Sequence, residues 1–317
     1  MEISKRTFNR SCSTSFFDDT DADTDLEERT SRCLSSIPFC DTDFPTAMHS
    51  RECIAYKKGL HIDLKKPLGE GFFASVYPAS NLKNPKKELV VKLIWLKTTE
   101  PEDSYNFVVD DLEREYRFLQ RLQNASLGIV RAPKIFYKGK KYSFLALEKY
   151  DCSLEDALPR LDLNKKTTYF YQILEGLNYA HQVEIAHGDI KLSNCLVKEN
   201  ICVLADFGNA SYECEVASGW AVGEYYPKNA CDIGKALRAN YLDANSALKE
   251  ETLKIAHQYQ CSQDIYAIGI LMTKIFTGED ISSELKKLIQ EIQEPNWKIR
   301  LKISEVLKRY KVLQNFD

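Results

Sequence analysis

Apolar and polar positions follow two different periods along this chain. From Ile62 to Ile94, β-branched and aromatic residues fall in short runs broken by Gly69, Gly71 and Pro85, which predicts strands joined by turns. Tyr142 to Glu148 repeats that character. Elsewhere the spacing is helical. A helix is predicted from about Asp103 to Leu122, and a longer one from about Asn164 to His181. In the second, Phe170, Ile173, Leu174 and Leu177 recur at i, i+3, i+4 and i+7, so that face is core. Ile268, Leu271, Met272 and Ile275 give a buried face to a helix that includes Asp264 to Gly269, and Leu285, Leu288, Ile289 and Ile292 mark a further one. Ser153 before Glu155 and Asp156 reads as an N-cap with an acidic first turn.

Composition narrows the class. At 317 residues and 44% hydrophobic content, the chain can bury a sizeable core and suits one two-lobed unit or two domains. A net charge of −3 gives no reason to expect nucleic-acid binding. No apolar run approaches the roughly 20 residues that span a bilayer. Met1 to Arg6 holds no apolar stretch like a signal peptide, and residue 2 is not the Gly of a myristoylation signal, so a cytoplasmic protein without membrane partners is expected. None of the ten cysteines forms a CxxC pair, which fits free thiols in a reducing cytosol better than disulfides or zinc.

Charge is uneven. Residues 1–50 hold ten acidic and five basic side chains with fifteen Ser or Thr, and read as a mobile acidic tail. The alternating carboxylates from Asp18 to Asp25 invite a calcium loop. Counted from Asp19, however, the turn position is Thr24 instead of Gly and the last ligand position is Thr30 instead of Glu.

The densest chemistry lies in His187-Gly188-Asp189-Ile190-Lys191-Leu192-Ser193-Asn194 and in Asp206-Phe207-Gly208. Phosphoryl transfer needs a carboxylate to accept the acceptor hydroxyl's proton and hard oxygen ligands for Mg²⁺. This stretch resembles the catalytic loop and metal motif of eukaryotic-type protein kinases, with Gly188 where most members carry Arg. Leu68-Gly69-Glu70-Gly71-Phe72-Phe73-Ala74-Ser75-Val76 resembles that family's glycine-rich loop, where glycines let backbone amides approach phosphates.

The resemblance implies a bilobal α+β fold: a β-rich lobe over residues 51–148 and a mostly helical lobe over 149–317, with an insertion at about 228–263. It implies ATP and Mg²⁺ as cofactors. Asp189 is the expected base and Lys191 the expected phosphate contact of a Ser/Thr kinase, while Asn194 and Asp206 chelate the metal. Lys92, in Val90-Val91-Lys92, would meet the α and β phosphates and pair with Glu115, with Glu113 as the fallback partner. Leu147 would be the gatekeeper, Glu148 and Tyr150 the hinge groups that meet adenine, and Leu68, Val76, Val90 and Leu196 further nucleotide-site residues. His187 is expected to pack and hydrogen-bond behind the metal motif, and Asp264 to hold the catalytic-loop backbone.

Departures from the family carry their own expectations. In relatives with Arg at the Gly188 position, a phosphate on the activation loop neutralises that cation and orders the loop. With Gly188, activity without such phosphorylation is expected. The threonine near the substrate's reactive residue aligns with Val222, and the family's Ala-Pro-Glu becomes Pro227-Lys228-Asn229, with Tyr225 and Asn229 similar to the casein-kinase-1 branch. Thirty-six residues separate Pro227 from Asp264, long enough to predict one or two helices, either a substrate platform or a neutral elaboration. Arg300 resembles the family's late arginine without its glutamate partner. Protein substrates and a monomer are expected. Two other readings use the same residues: a small-molecule phosphotransferase like aminoglycoside and choline kinases, and a nucleotide-binding pseudokinase scaffold.

Overall fold

The computed structural model describes residues 58–65, 67–71, 74–95, 102–212, 223–243 and 246–316, without side chains for 102–104, 246 and 247. The acidic tail, the loop tip Phe72-Phe73, most of the expected activation loop between Gly208 and Val222 (from residue 213 on) and Val222 itself lie outside the described residues.

An antiparallel sheet forms the first half. Its strands are β1 (Leu60–Ile62), β2 (Gly69–Glu70), β3 (Ser75–Asn81), β4 (Glu88–Trp95), β5 (Phe136–Lys138) and β6 (Tyr142–Glu148). Their order is β1-β3-β4-β6-β5, with β2 also on β3. Alternation in β4 explains its placement: Leu89, Val91 and Leu93 are fully buried on one face, while Val90 and Lys92 stand half-buried on the other. Directly opposed residues share a face, so the pairs Val76 with Lys92 and Val90 with Leu147 set those four side chains on one surface.

Helix α1 (Glu102–Leu122) packs on this sheet through Tyr105, Val109, Leu112, Leu119 and Leu122, a stripe at helical spacing. The Tyr105 hydroxyl, carried into the core by that stripe, bonds the Gly139 carbonyl at 2.9 Å and the buried Ser143 hydroxyl at 3.0 Å. These bonds fix the helix's first turns to the β5–β6 connection.

The second half is helical. After β7 (Cys152–Ser153) comes α2 (Leu154–Ala157), whose Asp156 N–H bonds the Ser153 cap hydroxyl. Helix α3 (Leu163–Gln182) is capped by Asp162, and its Phe170, Ile173, Leu174 and Leu177 are completely buried. Gly128, at φ +74°, crosses α3 at Gly176 so closely that a Cβ on Gly128 would lie 2.0 Å from the Gln172 carbonyl oxygen. That crossing lets the Gly128 carbonyl accept from the Leu204 N–H at 2.8 Å, fixing the strand that leads into Asp206.

The insertion is helical, as expected. Helix α4 (Ala230–Asp243) is followed by α5 (Ser246–Ile275), a single thirty-residue helix. The helix that carries Asp264 to Gly269 therefore begins at Ser246, within the insertion. Residues 246 to 268 contain no Pro or Gly, so nothing stops the helix between the insertion and the core. Helices α6 (Ser283–Ile292) and α7 (Ile303–Gln314) complete the fold, the first burying Leu285, Leu288 and Ile292. Arg300 replaces its missing carboxylate with backbone: its guanidinium donates to the carbonyls of Ser262, Glu294 and Pro295 and lies 5.1 Å from the Tyr266 ring centroid. Burial lowers its pKa to about 10. The five described cysteines are free thiols.

Candidate active site

The site is assembled on short elements: strand β8 (Ile185–Ala186), hairpin β9 (Cys195–Lys198) and β10 (Ile201–Leu204), and β11 (Ser211–Tyr212), which pairs with β8. Between β8 and β9, the loop His187–Asn194 is hung on the buried Asp264 of α5. That carboxylate accepts the His187 N–H at 2.7 Å and the Gly188 N–H at 2.9 Å, and meets His181 Nε2 at 2.9 Å. Asp264 thus binds backbone as expected.

His187 is fully buried. Its Nε2 lies 3.0 Å from the Ala205 carbonyl, which can only accept, while the Asp189 N–H donates to Nδ1 at 3.2 Å. Those partners fix the tautomer and use both nitrogens. The ring sits 4.5 Å from that of Phe207, so the side chain joins the two motifs as a packing element.

Asp189 is held at one oxygen only. Lys191 Nζ lies 2.8 Å from Oδ2, and Asn194 Nδ2 donates to Oδ2 at 3.0 Å and to the Asp189 carbonyl at 2.8 Å. Oδ1 has no partner among the described residues. With its amide hydrogens directed at Asp189, Asn194 retains the carboxamide oxygen as an acceptor. The hairpin pairs Cys195 with Leu204, and the Ala205 N–H donates to the Asn194 carbonyl at 2.9 Å, so Asn194 and Asp206 flank one end of the same ribbon.

Asp206 adopts the left-handed conformation (φ 61°, ψ 71°), a strained backbone for a residue with a side chain. Its Oδ1 lies 2.8 Å from Lys92 Nζ, and Glu115 Oε2 lies at the same 2.8 Å from that nitrogen. Burial alone would lower the Lys92 pKa, but the two carboxylates outweigh it and hold the ammonium above its usual range. Burial, then Asp206, raises Glu115, which outweighs the lowering by Lys92. Burial would raise the Asp206 carboxyl, but its surroundings, Lys92 foremost, outweigh that and hold it below its usual range. Glu113 is not the partner: it faces outward to Arg117 and to Lys138 at 2.8 Å.

At the glycine loop, Leu68 N–H bonds the Val76 carbonyl at 2.7 Å and Gly71 N–H the Ala74 carbonyl at 2.8 Å, closing a tight hairpin in which Leu68 is exposed. Val76, Val90, Leu147 and Leu196 are half-buried. Along the connection after β6, the N–H groups of Glu148, Lys149 and Asp151 bond carbonyls, whereas the Tyr150 N–H has no partner among the described residues. No group of three His, Cys, Asp or Glu side chains suited to a metal gathers among the described residues. The donor set at Asn194 and Asp206 instead fits a hard cation that completes its shell with phosphate oxygens and water, as Mg²⁺ does. The buried Tyr105–Ser143 anchor of α1 went unanticipated, although a tyrosine on a core stripe must find a partner for its hydroxyl.

Residues 62–312 match the protein kinase domain. The chain is 29% identical over 259 residues to a mimivirus protein (Acanthamoeba polyphaga mimivirus) named as a serine/threonine-protein kinase, covering 80% of this chain and 43% of that protein. It is 27% identical over 312 residues to mitogen-activated protein kinase kinase kinase 2 of Arabidopsis thaliana, covering 89% and 45%, and 25% identical over 256 residues to cyclin-dependent kinase F-4 of Oryza sativa subsp. japonica, covering 77% and 50%. The chain spans at most half the length of these relatives. A domain match across most of the chain and a bilobal α+β fold make this chain a member of the eukaryotic-type protein kinase superfamily.

Proposed function

We propose that the protein transfers the γ-phosphoryl group of ATP to serine or threonine hydroxyls of protein substrates, with Mg²⁺ as cofactor. The observation that carries this reading is the Lys92 ammonium, bonded at 2.8 Å both to Glu115 and to Asp206, because kinase activity requires the strand lysine, the helix glutamate and the metal aspartate to be in place together. Lys92 would bind the α and β phosphates. The Tyr150 N–H and the Glu148 carbonyl would meet adenine between Leu68, Val76, Val90, Leu147 and Leu196. Asp189 Oδ1 accepts the substrate hydroxyl's proton, while Lys191 steadies the carboxylate and reaches the transferring phosphate. Asn194 and Asp206 would hold Mg²⁺, which supplies charge neutralisation at the phosphates.

Lys191 and the named serine/threonine kinases among the relatives support the choice of acceptor. Activity without activation-loop phosphorylation belongs to the same reading. Ser211 is buried with its hydroxyl on Gln260, and the Tyr212 hydroxyl donates to Glu184 at 3.0 Å, so neither is free to receive phosphate as it stands. Among the described residues no helix is long and apolar enough to cross a membrane.

Purified protein incubated with γ-labelled ATP and Mg²⁺, alone and with generic protein substrates, tests the function. Label on protein from the wild type and none from Asp206→Ala is expected. Transfer that needs a small alcohol, or tight nucleotide binding with no transfer, would overturn the proposal in favour of a small-molecule phosphotransferase or a pseudokinase.

A further inference from the structure

Gly188 creates a mechanical problem beside the candidate base. At φ +78° it passes Asn209 so closely that a Cβ would lie 2.5 Å from the Asn209 carbonyl oxygen. Glycine allows that approach, but it also offers little resistance to rotation of the peptide joining it to Asp189. A restraint must come from outside the loop.

The structure supplies one across thirty-eight residues: the Tyr226 hydroxyl donates to the Gly188 carbonyl at 2.6 Å. On the other side of that peptide, the Asp189 N–H is bonded to His187 Nδ1 at 3.2 Å, and the preceding Gly188 N–H is bonded to Asp264 at 2.9 Å. Three hydrogen bonds therefore fix the backbone from which the Asp189 carboxylate projects. The segment that follows Tyr226 is anchored to α5. The Ala230 N–H bonds the Pro227 carbonyl at 2.9 Å, and the Tyr259 hydroxyl of α5 bonds the Ala230 carbonyl at 2.7 Å. One helix thus grips Gly188 twice, through Asp264 at its N–H and through Tyr259, Ala230 and Tyr226 at its carbonyl. The neighbouring Tyr225 hydroxyl accepts from the Leu192 N–H at 3.4 Å, a longer and weaker tie.

We propose that Tyr226 is a positioning residue for phosphoryl transfer: its hydroxyl holds the Gly188–Asp189 peptide and so aims the Asp189 carboxylate at the acceptor hydroxyl. The proposal rests on the reading of Asp189 as the hydroxyl-accepting carboxylate. Burial, followed by the Asp189 and Asp264 carboxylates, pushes the Tyr226 pKa well above the usual tyrosine range, so the hydroxyl remains a donor throughout the working range. Nothing in this restraint requires a phosphate or an arginine at position 188.

The test compares the full-length wild type, Tyr226→Phe and Asp189→Asn in steady-state transfer to a generic protein substrate, with ATP-binding stoichiometry measured on each preparation. Tyr226→Phe should lower kcat about tenfold, the loss expected for one strong hydrogen bond, while KM for ATP and the number of ATP sites per mole stay at wild-type values. A Tyr226→Phe kcat equal to wild type would overturn the proposal. So would a loss of kcat matched by an equal loss of ATP sites, which marks misfolding. Asp189→Asn separates the two readings: if it is inactive while Tyr226→Phe is unimpaired, only the positioning role falls. If Asp189→Asn keeps wild-type kcat, the base assignment falls and takes the positioning role with it.

Discussion

Lys92 is shared by two carboxylates of unequal exposure: the Glu115 side chain is 2% exposed and that of Asp206 46%. The buried one keeps Oε1 without a partner among the described residues, a cost that its contact with Lys92 must offset. Removing the Glu115 charge leaves Lys92 drawn wholly to Asp206, the carboxylate proposed for the metal. Glu115→Gln should therefore lower kcat/KM for ATP by about 10- to 100-fold, as expected for a hydrogen bond between charged groups. Glu113→Gln, which touches only outward-facing Arg117 and Lys138, should change it less than about threefold. Initial rates over a range of ATP concentrations check both, and the reverse order would make Glu113 the functional partner.

At the scale of elements, two contacts between α3, α5 and their surroundings make predictions of stability. Gly128 meets α3 with no room for a Cβ, whereas Gly59, at a similar positive φ, has open space. Gly128→Ala should cost about 3 kcal/mol or more through the forced backbone shift, and Gly59→Ala about 1–2 kcal/mol of conformational strain, read from urea midpoints. On α5, His257 has a buried Nδ1 without a partner among the described residues, and burial followed by repulsion from His181 lowers its pKa. The unfolded chain therefore takes up the proton first, at about pH 6.5. Stability is full above that pH and declines as pH falls through the depressed folded value. Melting temperature should drop between about pH 7.5 and pH 5.5, and His257→Asn should flatten the drop. An equal slope in wild type and variant would remove His257 as the cause. These elements also mark how far the sequence could be read. The alternation of β4 and the core face of α3 are local periods, so they were legible. The start of α5 was not, because the resemblance begins at Asp264 while the helix continues upstream through residues without a breaker.

For the whole molecule, the same division applies to the site. Lys92, Glu115, Asp189, Asn194 and Asp206 were readable because they stand in short motifs in a fixed order. Tyr226 on Gly188 and Arg300 on Ser262 were not, since each contact spans thirty-eight residues that no local pattern encodes. Together with Asp264 they describe a protein kinase domain in which the Gly188 peptide is tied to helix α5 at its N–H and, by way of Tyr226 and the Tyr259–Ala230 bond, at its carbonyl. The direct measurement is the progress curve of protein phosphorylation by a preparation shown by mass spectrometry to carry no phosphate. A linear curve from the first time point, absent in Asp189→Asn, is the predicted result. An inert preparation that gains activity only as Ser211, Tyr212 or another activation-loop residue becomes phosphorylated would contradict it.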